Sequence, residues 1–457
     1  MRKFACTCLF VLLMMGQIRG QQQFAFSFGE TPQTLNLNPG AETNFKYHYG
    51  IPVFSNFNLS AGMTGFDLSD LFLRDGRNFD AKFRNVLGDL DENDHVNVNV
   101  RIDILNGGYR YDEKTYLSFG FYQESDVMVY VPKDLLDLVY EGNAPYLNRA
   151  FSFSHFRLKA DVLGVLHAGI SRKVNSKLNI GARIKIYSSS INIESNHNSG
   201  TLTTFEDSTN LLRQSLNNFN TEVRTSGLVD ENDEFLANPS DIFSKTFLGG
   251  NLGLGFDFGM TYHLSPQLEF TASLLDFGFV RYSKNTRVYS GEGDYVFDGL
   301  NFQFDQANIN YWEQLGDDFK ANVPTSETTD AYTSWRPTKL NAALKYSFGE
   351  IRSKTCYAPT HKQYYYNAIG FQLHSIFRPI GPQFAFTSFF ETSLSEKIHT
   401  KLTHTFNQYG ATIIGSGMTF QWGNVNVFGM VDNMFGARDL LSASTISVNF
   451  GVNMVIN

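Results

Sequence analysis

The sequence predicts an all-β fold, a transmembrane antiparallel β-barrel of about 14 strands. Three observations predict it: strict apolar/polar alternation, segments of ten or more residues, and connections that alternate between short and long. Sandwich strands average about five or six residues, whereas a tilted membrane strand needs about 9–11, so segment length favours the barrel. Composition agrees: 43 Phe, 22 Tyr and 38 Gly with only 18% charge suit β-structure and exclude a disordered chain. After the N-terminal stretch no apolar run reaches the roughly 20 residues of a membrane helix. A net charge of −8 without any Lys/Arg run excludes a nucleic-acid partner.

Residues 1–20 read as a secretory signal peptide. Arg2 and Lys3 precede an apolar stretch from Phe4 to Met15, and Gly16 and Gly20 supply the small residues of a cleavage region. Its removal would take away Cys6 and Cys8 and leave Cys356, so no internal disulfide is expected. Residues 21–55 should precede the wall as an N-terminal plug, and the barrel should occupy 56–457.

The wall segments follow in order. We read strands at 56–68, 95–111, 115–131, 153–172, 177–193, 247–263 and 267–283, then at 338–349, 363–377, 382–394, 398–409, 411–422, 424–432 and 443–456. Val96, Val98, Val100 and Ile102 share one face, with Asn97, Asn99, Arg101 and Asp103 on the other. Ile180, Ile184 and Ile186 alternate with Gly181, Arg183 and Lys185 in the same way, as Phe256 and Phe258 do with Asp257 and Gly259. Successive strand side chains point to opposite faces, so one face would meet lipid and the other the lumen.

Tight connections at 112–114, 174–176 and 264–266 alternate with long ones at 69–94, 132–152, 194–246 and 284–337, the pattern of short periplasmic turns and long external loops. Two connections strain it: 350–362 is long for a turn, and 378–381 is short for an external loop. Short helices are expected in the long loops, at 133–140 and, from the spacing of Leu211, Leu212, Leu216 and Phe219, within 205–224. Tyr187, Tyr262, Tyr282, Tyr409 and Trp422 fall near strand ends, as interfacial anchors or as ordinary strand aromatics.

The polar face names the candidate site: Asn97, Asn99, Arg101, Asp103, Arg183, Lys185 and Asp257, with Glu269. Such charges either set selectivity in an open pore or pair with one another in a filled barrel. Asp89, Asp91 and Asn93 open like a calcium loop, but Asp94 stands where Gly is needed and Val100 where Glu is needed, so a solvated acidic loop is the better reading. No H-E-x-x-H or Cys–His zinc spacing, nucleophile elbow or glycine-rich phosphate loop is present, and neither an enzyme nor a cofactor is expected.

At Asn38-Pro39-Gly40 the chain resembles the N-terminal hatch motif of FadL-type long-chain fatty-acid transporters, with Gly40 where that motif carries Ala. It also looks like an uncharacterised outer-membrane barrel family of Bacteroidota, through Gly50-Ile51-Pro52-Val53, Pro132-Lys133-Asp134-Leu135-Leu136 and Ser273-Leu274-Leu275-Asp276-Phe277-Gly278. The last stretch is similar to an element of PorP/SprF-like barrels of type IX secretion and gliding machinery. The first resemblance implies passive transport of a small hydrophobic compound across the outer membrane of a Gram-negative bacterium, with a plug that controls release. The last implies a structural or adaptor barrel with a surface or secretion partner and no transport.

Overall fold

A computed structural model describes residues 25–28, 31–195, 197–206, 212–229, 239–297, 321–350, 365–379 and 381–456. The expected signal segment and Cys6, Cys8 and Cys356 lie outside these residues.

The wall begins with β1, in two pieces, Tyr47–Gly50 and Phe57–Met63. It continues through β2 (His95–Arg110), β3 (Thr115–Tyr130), β4 (Leu158–Lys173), β5 (Leu178–Ser195), β6 (Asn251–His263) and β7 (Leu268–Tyr282). The second half holds β8 (Tyr332–Trp335 and Lys339–Glu350), β9 (Tyr365–Arg378), β10 (Gly381–Ser395) and β11 (Ile398–Asn407). β12 (Gly410–Trp422), β13 (Val425–Val431) and β14 (Thr445–Ile456) complete it. Each strand pairs antiparallel with the next, and β14 returns to β1 with Tyr47 opposite Ile456 and Phe57 opposite Phe450. The result is a closed 14-strand antiparallel barrel, which leaves no unpaired strand edge to face lipid.

Alternation sorts the side chains as lipid demands. Ile180, Ile184, Ile186, Phe256 and Phe258 are exposed on the outer surface, while Asn179, Arg183, Lys185 and Asp257 between them are buried inside. β2 is 16 residues long, roughly 50 Å at about 3.3 Å per residue, and so outruns a hydrocarbon core of about 30 Å. The long loops gather at one end of the wall.

That end carries the short helices. After α1 (Thr34–Leu37), which lies inside the barrel, come α2 (Leu68–Phe72), α3 (Phe79–Asp89), α4 (Lys133–Tyr140) and α5 (Pro239–Ser244). Asn78 caps α3 through the Ala81 N–H, and Val86, Leu87 and Leu90 gather Phe66, Leu71, Phe83, Leu136 and Tyr140 around them. The loop rule breaks at the long-loop end in the second half of the wall. Arg378 pairs with Gly381, so only two residues join β9 to β10 there, and Asn407 and Gly410 are also joined by only two residues. The 351–364 stretch between β8 and β9 lies outside the described residues.

Three expectations are corrected. The wall starts at Tyr47 rather than 56, because Tyr47–Gly50 pairs with both β2 and β14. The expected helix within 205–224 is a strand, Leu212–Ser226, held between Ser199–Glu206 and Thr286–Phe297 in a sheet that prolongs the wall outward. Cross-strand pairing overrides its helix-like spacing. Tyr187, Tyr282 and Tyr409 point inward and are buried, while Trp422 stands 75% exposed on the outer face. For Tyr282 the cause is a β-bulge: Leu275 and Asp276 together oppose Asp257, Asp276 takes φ 58°, and the alternation changes phase beyond them.

Candidate functional site in the barrel lumen

The interior holds the chain's own N-terminal segment. Ala25, Phe26, Phe28 and Leu37 pack with Leu275, Ala343, Phe428 and Met430, and Leu35 and Ala41 pack with Tyr116. Most polar contacts grip its backbone. Lys401 donates to the Phe26 carbonyl at 2.9 Å, Ser273 to Leu37 at 2.7 Å, and Arg183 to the carbonyls of Leu35 and Asn36. Gln33 and Asn453 exchange reciprocal amide hydrogen bonds at 3.0 and 3.1 Å.

Asn38-Pro39-Gly40 sits against two glycines of the wall. A Cβ on Gly181 would overlap the Pro39 carbonyl, one on Gly259 would overlap the Asn38 side chain, and one on Gly40 would overlap the Gly259 carbonyl. Only glycine admits this approach of backbone to backbone. Asn38 donates to the Met260 carbonyl at 3.2 Å, and the Gly40 carbonyl accepts from Thr261 at 2.9 Å and Asn179 at 3.1 Å. Asn38 also accepts from the Gly40 N–H at 2.9 Å, which holds the turn in shape.

Above this seat, charged groups of the polar face pair across the lumen. Asp257 meets Arg183 at 3.3 Å and Lys185 at 2.8 Å, and Lys185 reaches Asp276 at 2.6 Å. The bulge is what brings Asp276 inward, and its N–H donates to Asp257 at 2.7 Å. Lys339 joins Asp276 at 3.0 Å to Glu124 at 3.7 Å, and Arg336 bridges Glu124 and Asp161, each at 3.0 Å. Arg378 pairs with Asp126. Arg101 meets Asp103 at 2.8 Å and lies 3.6 Å from the Tyr122 ring centre. Buried pairs of this kind resist separation, since removing one partner typically costs about 3–5 kcal/mol.

Of the residues named from sequence, Arg183, Lys185 and Asp257 therefore fall in one connected cluster, and Arg101 and Asp103 form a separate pair in the same lumen. Asn99 joins the cluster by donating to Glu124 at 2.9 Å and Asp126 at 3.1 Å. Glu269 lies lower, 3.2 Å from Lys345. Sequence reasoning missed Glu124, Asp126, Asp161, Asp276, Arg336, Lys339 and Arg378. Glu124 and Asp126 carried a signal, as acidic residues two apart on the polar face of a long alternating segment.

Asn97 lines a cavity of about 70 Å³ above Leu37, together with Asn99, Asp126, Lys339, Asn341, His374, Arg378 and Tyr409. At its outer rim the Tyr409 hydroxyl lies 3.1 Å from His95, which lies 3.1 Å from Gln383. A larger hollow bordered by Leu344, Ile369, Phe371, Phe390 and Leu402 opens on the lipid face instead. The calcium candidates do not converge: Asp89 ends α3, Asp91 and Asn93 are exposed, and the Asp94 carboxylate accepts from the Asp91 N–H at 2.6 Å. Among the described residues no group of three or more His, Cys, Asp or Glu could hold a metal ion.

The fold and lumen define a class: a transmembrane β-barrel of 14 strands whose interior is occupied by its own N-terminal segment. The chain belongs to DUF5723, a family of unknown function, whose family model matches residues 39–432. No curated protein matches the sequence. Among solved structures, the chain is similar to the Pseudomonas putida toluene transporter TodX, at 9% identity and TM-score 0.39, over 97% of this chain and 95% of that one. It is similar also to a Pseudomonas aeruginosa FadL homologue, at 9% identity and TM-score 0.43, over 96% and 98%. The monoaromatic hydrocarbon channel CymD follows at 10% identity and TM-score 0.34, over 97% and 98%. The fold rests on the strand pairing rather than on these likenesses, and fold does not by itself assign a substrate.

Proposed function

We propose that the protein is a gated outer-membrane transporter of small compounds, in which residues 25–41 act as a plug. The observation that supports this is the way the segment is held. Wall side chains bind its backbone carbonyls at Phe26, Leu35, Asn36, Leu37 and Gly40, so it is retained by hydrogen bonds that water can replace when it leaves. A compound entering from the external loops would first meet the apolar surface of α2–α4, where Phe72, Phe79 and Val139 are exposed. A small hydrophobic compound could be held there, in the manner of FadL-type transporters. It would then pass into the lumen as the plug moves.

Deletion of residues 25–41 tests the reading in planar bilayers: conductance should rise, and an unchanged closed barrel overturns it. Should the deletion impair folding, a Gln33→Cys/Asn453→Cys pair supplies the second arm. A cross-link between them through a short bis-methanethiosulfonate should abolish uptake, and dithiothreitol should restore it. Uptake that ignores the lock is incompatible with plug gating.

A second reading, a structural or adaptor barrel, is favoured by the ion pairs that cross the outer lumen, above all Asp126 with Arg378. It predicts no conductance after the deletion and no uptake with or without the lock.

A further inference from the structure

We infer that the cavity above Leu37 is a binding site for a small hydroxylated carboxylate. At about 70 Å³ it has room for roughly five waters, or one solute of a few heavy atoms. Its lining supplies both halves of the recognition. Lys339 is the charged residue of the cluster that keeps most exposure, 25% of its side chain, although Asp276 and Glu124 stand beside it. Its ammonium has three protons to donate and can turn one toward an incoming carboxylate. Arg378 lines the same space, and its buried Nε–H has no acceptor among the described residues. Lys339 and Arg378 thus bring two positively charged donors to a small cavity, and Asp126, the one carboxylate that lines it, is already engaged by Arg378.

The hydroxyl follows from a hydrogen-bond chain. Ser273 donates to the Leu37 carbonyl, so it accepts from the Asn341 amide nitrogen at 3.1 Å. The Asn341 oxygen then accepts from His374 Nδ1 at 2.6 Å. That order fixes the tautomer and leaves Nε2 as the ring's lone-pair nitrogen, an acceptor for a ligand hydroxyl. The Asn97 side chain, which makes no hydrogen bond to the described residues, offers a donor and an acceptor on the β2 side. A hydrocarbon would offer a hydrogen bond to none of the free donor and acceptor positions these groups present.

That this ligand is the compound transported rests on the transport reading; that it binds does not. Calorimetry on the purified full chain in detergent, with sodium lactate, sodium propionate and propane-1,2-diol as probes, separates the two recognition elements. Lactate should bind tightest, and loss of either the hydroxyl or the carboxylate should weaken binding about tenfold. Lys339→Met should abolish the preference for lactate over the diol. Asn97→Leu, outside the ion pairs, should weaken lactate while the barrel keeps its heat-modifiable migration. Diol binding equal to lactate, absence of lactate binding, or lactate binding untouched in a folded Asn97→Leu chain overturns the site. Lactate binding with no conductance after deletion of 25–41 would retain the site and remove transport. Conductance without lactate binding would do the reverse.

Discussion

Arg378 of β9 reaches both carboxylate oxygens of Asp126 of β3, at 2.5 and 3.2 Å, from the far side of the barrel. The fork-to-fork geometry makes this a strong pair, and both side chains are 5% exposed, so water screens it little. It ties two strands that lie six places apart around the wall and that no ladder connects.

Breaking this tie should be costly. Arg378→Ala leaves Asp126 buried without its partner and should lower stability by about 3–5 kcal/mol, read as an earlier midpoint of urea unfolding in micelles. The double replacement Arg378→Met/Asp126→Leu should recover most of the loss. A double variant as unstable as the single one would show that packing, rather than charge, holds the walls together.

Gly40→Ala should displace the N-terminal segment while leaving the sequence of the wall unchanged. The added methyl overlaps the Gly259 carbonyl, and overpacking of this kind costs about 1–3 kcal/mol. The expected readout is faster proteolysis of residues 25–41. Unchanged digestion would mean that the backbone yields elsewhere.

Asp276 combines a left-handed backbone with a carboxylate shared by Lys185 and Lys339. Asn tolerates the same conformation but lacks the charge, whereas Val tolerates neither. Thermal stability should therefore fall in the order Asp, Asn, Val. Equal melting of the Asn and Val variants would remove the backbone from the explanation.

Outside the membrane, Asp75 should organise the outer loop. The neighbouring Lys82 ammonium and Arg77 guanidinium hold its carboxyl well below the usual carboxylate range. A depressed acid contributes stability above its unfolded value and loses it only as pH falls through the folded one. Asp75→Asn removes that contribution at neutral pH and should open the 73–82 stretch to trypsin on intact cells. Cleavage at the wild-type rate would show that the Lys82 bond to the Leu73 carbonyl suffices.

The sequence made the wall legible because lipid on one side and polar groups on the other force period-2 alternation. The expected segments match the observed strands to within a few residues along most of the barrel. Tyr47–Gly50 escaped because four residues are too few to show a period. Leu212–Ser226 escaped because it stands beyond the membrane, where neither face needs to be apolar. The inward turn of Tyr282 depended on the bulge at Leu275 and Asp276, which composition does not reveal. The site was half visible: Arg183, Lys185 and Asp257 announce a polar face, but Arg378 and Asp126 are 252 residues apart, and only barrel closure brings them together.

The N-terminal segment runs straight into β1, and β1 is sealed on one side by β14, with Tyr47 opposite Ile456. A chain already closed into a cylinder could admit that segment only by threading. The simpler order of events is that residues 25–41 lie in the forming trough before the last seam zips, and the wall then wraps around them. On this view the segment serves first as a mandrel for assembly. Its carbonyls, spaced along the interior, would give the lumen side chains of strands from β4 to β11 common partners before the strands have finished finding one another.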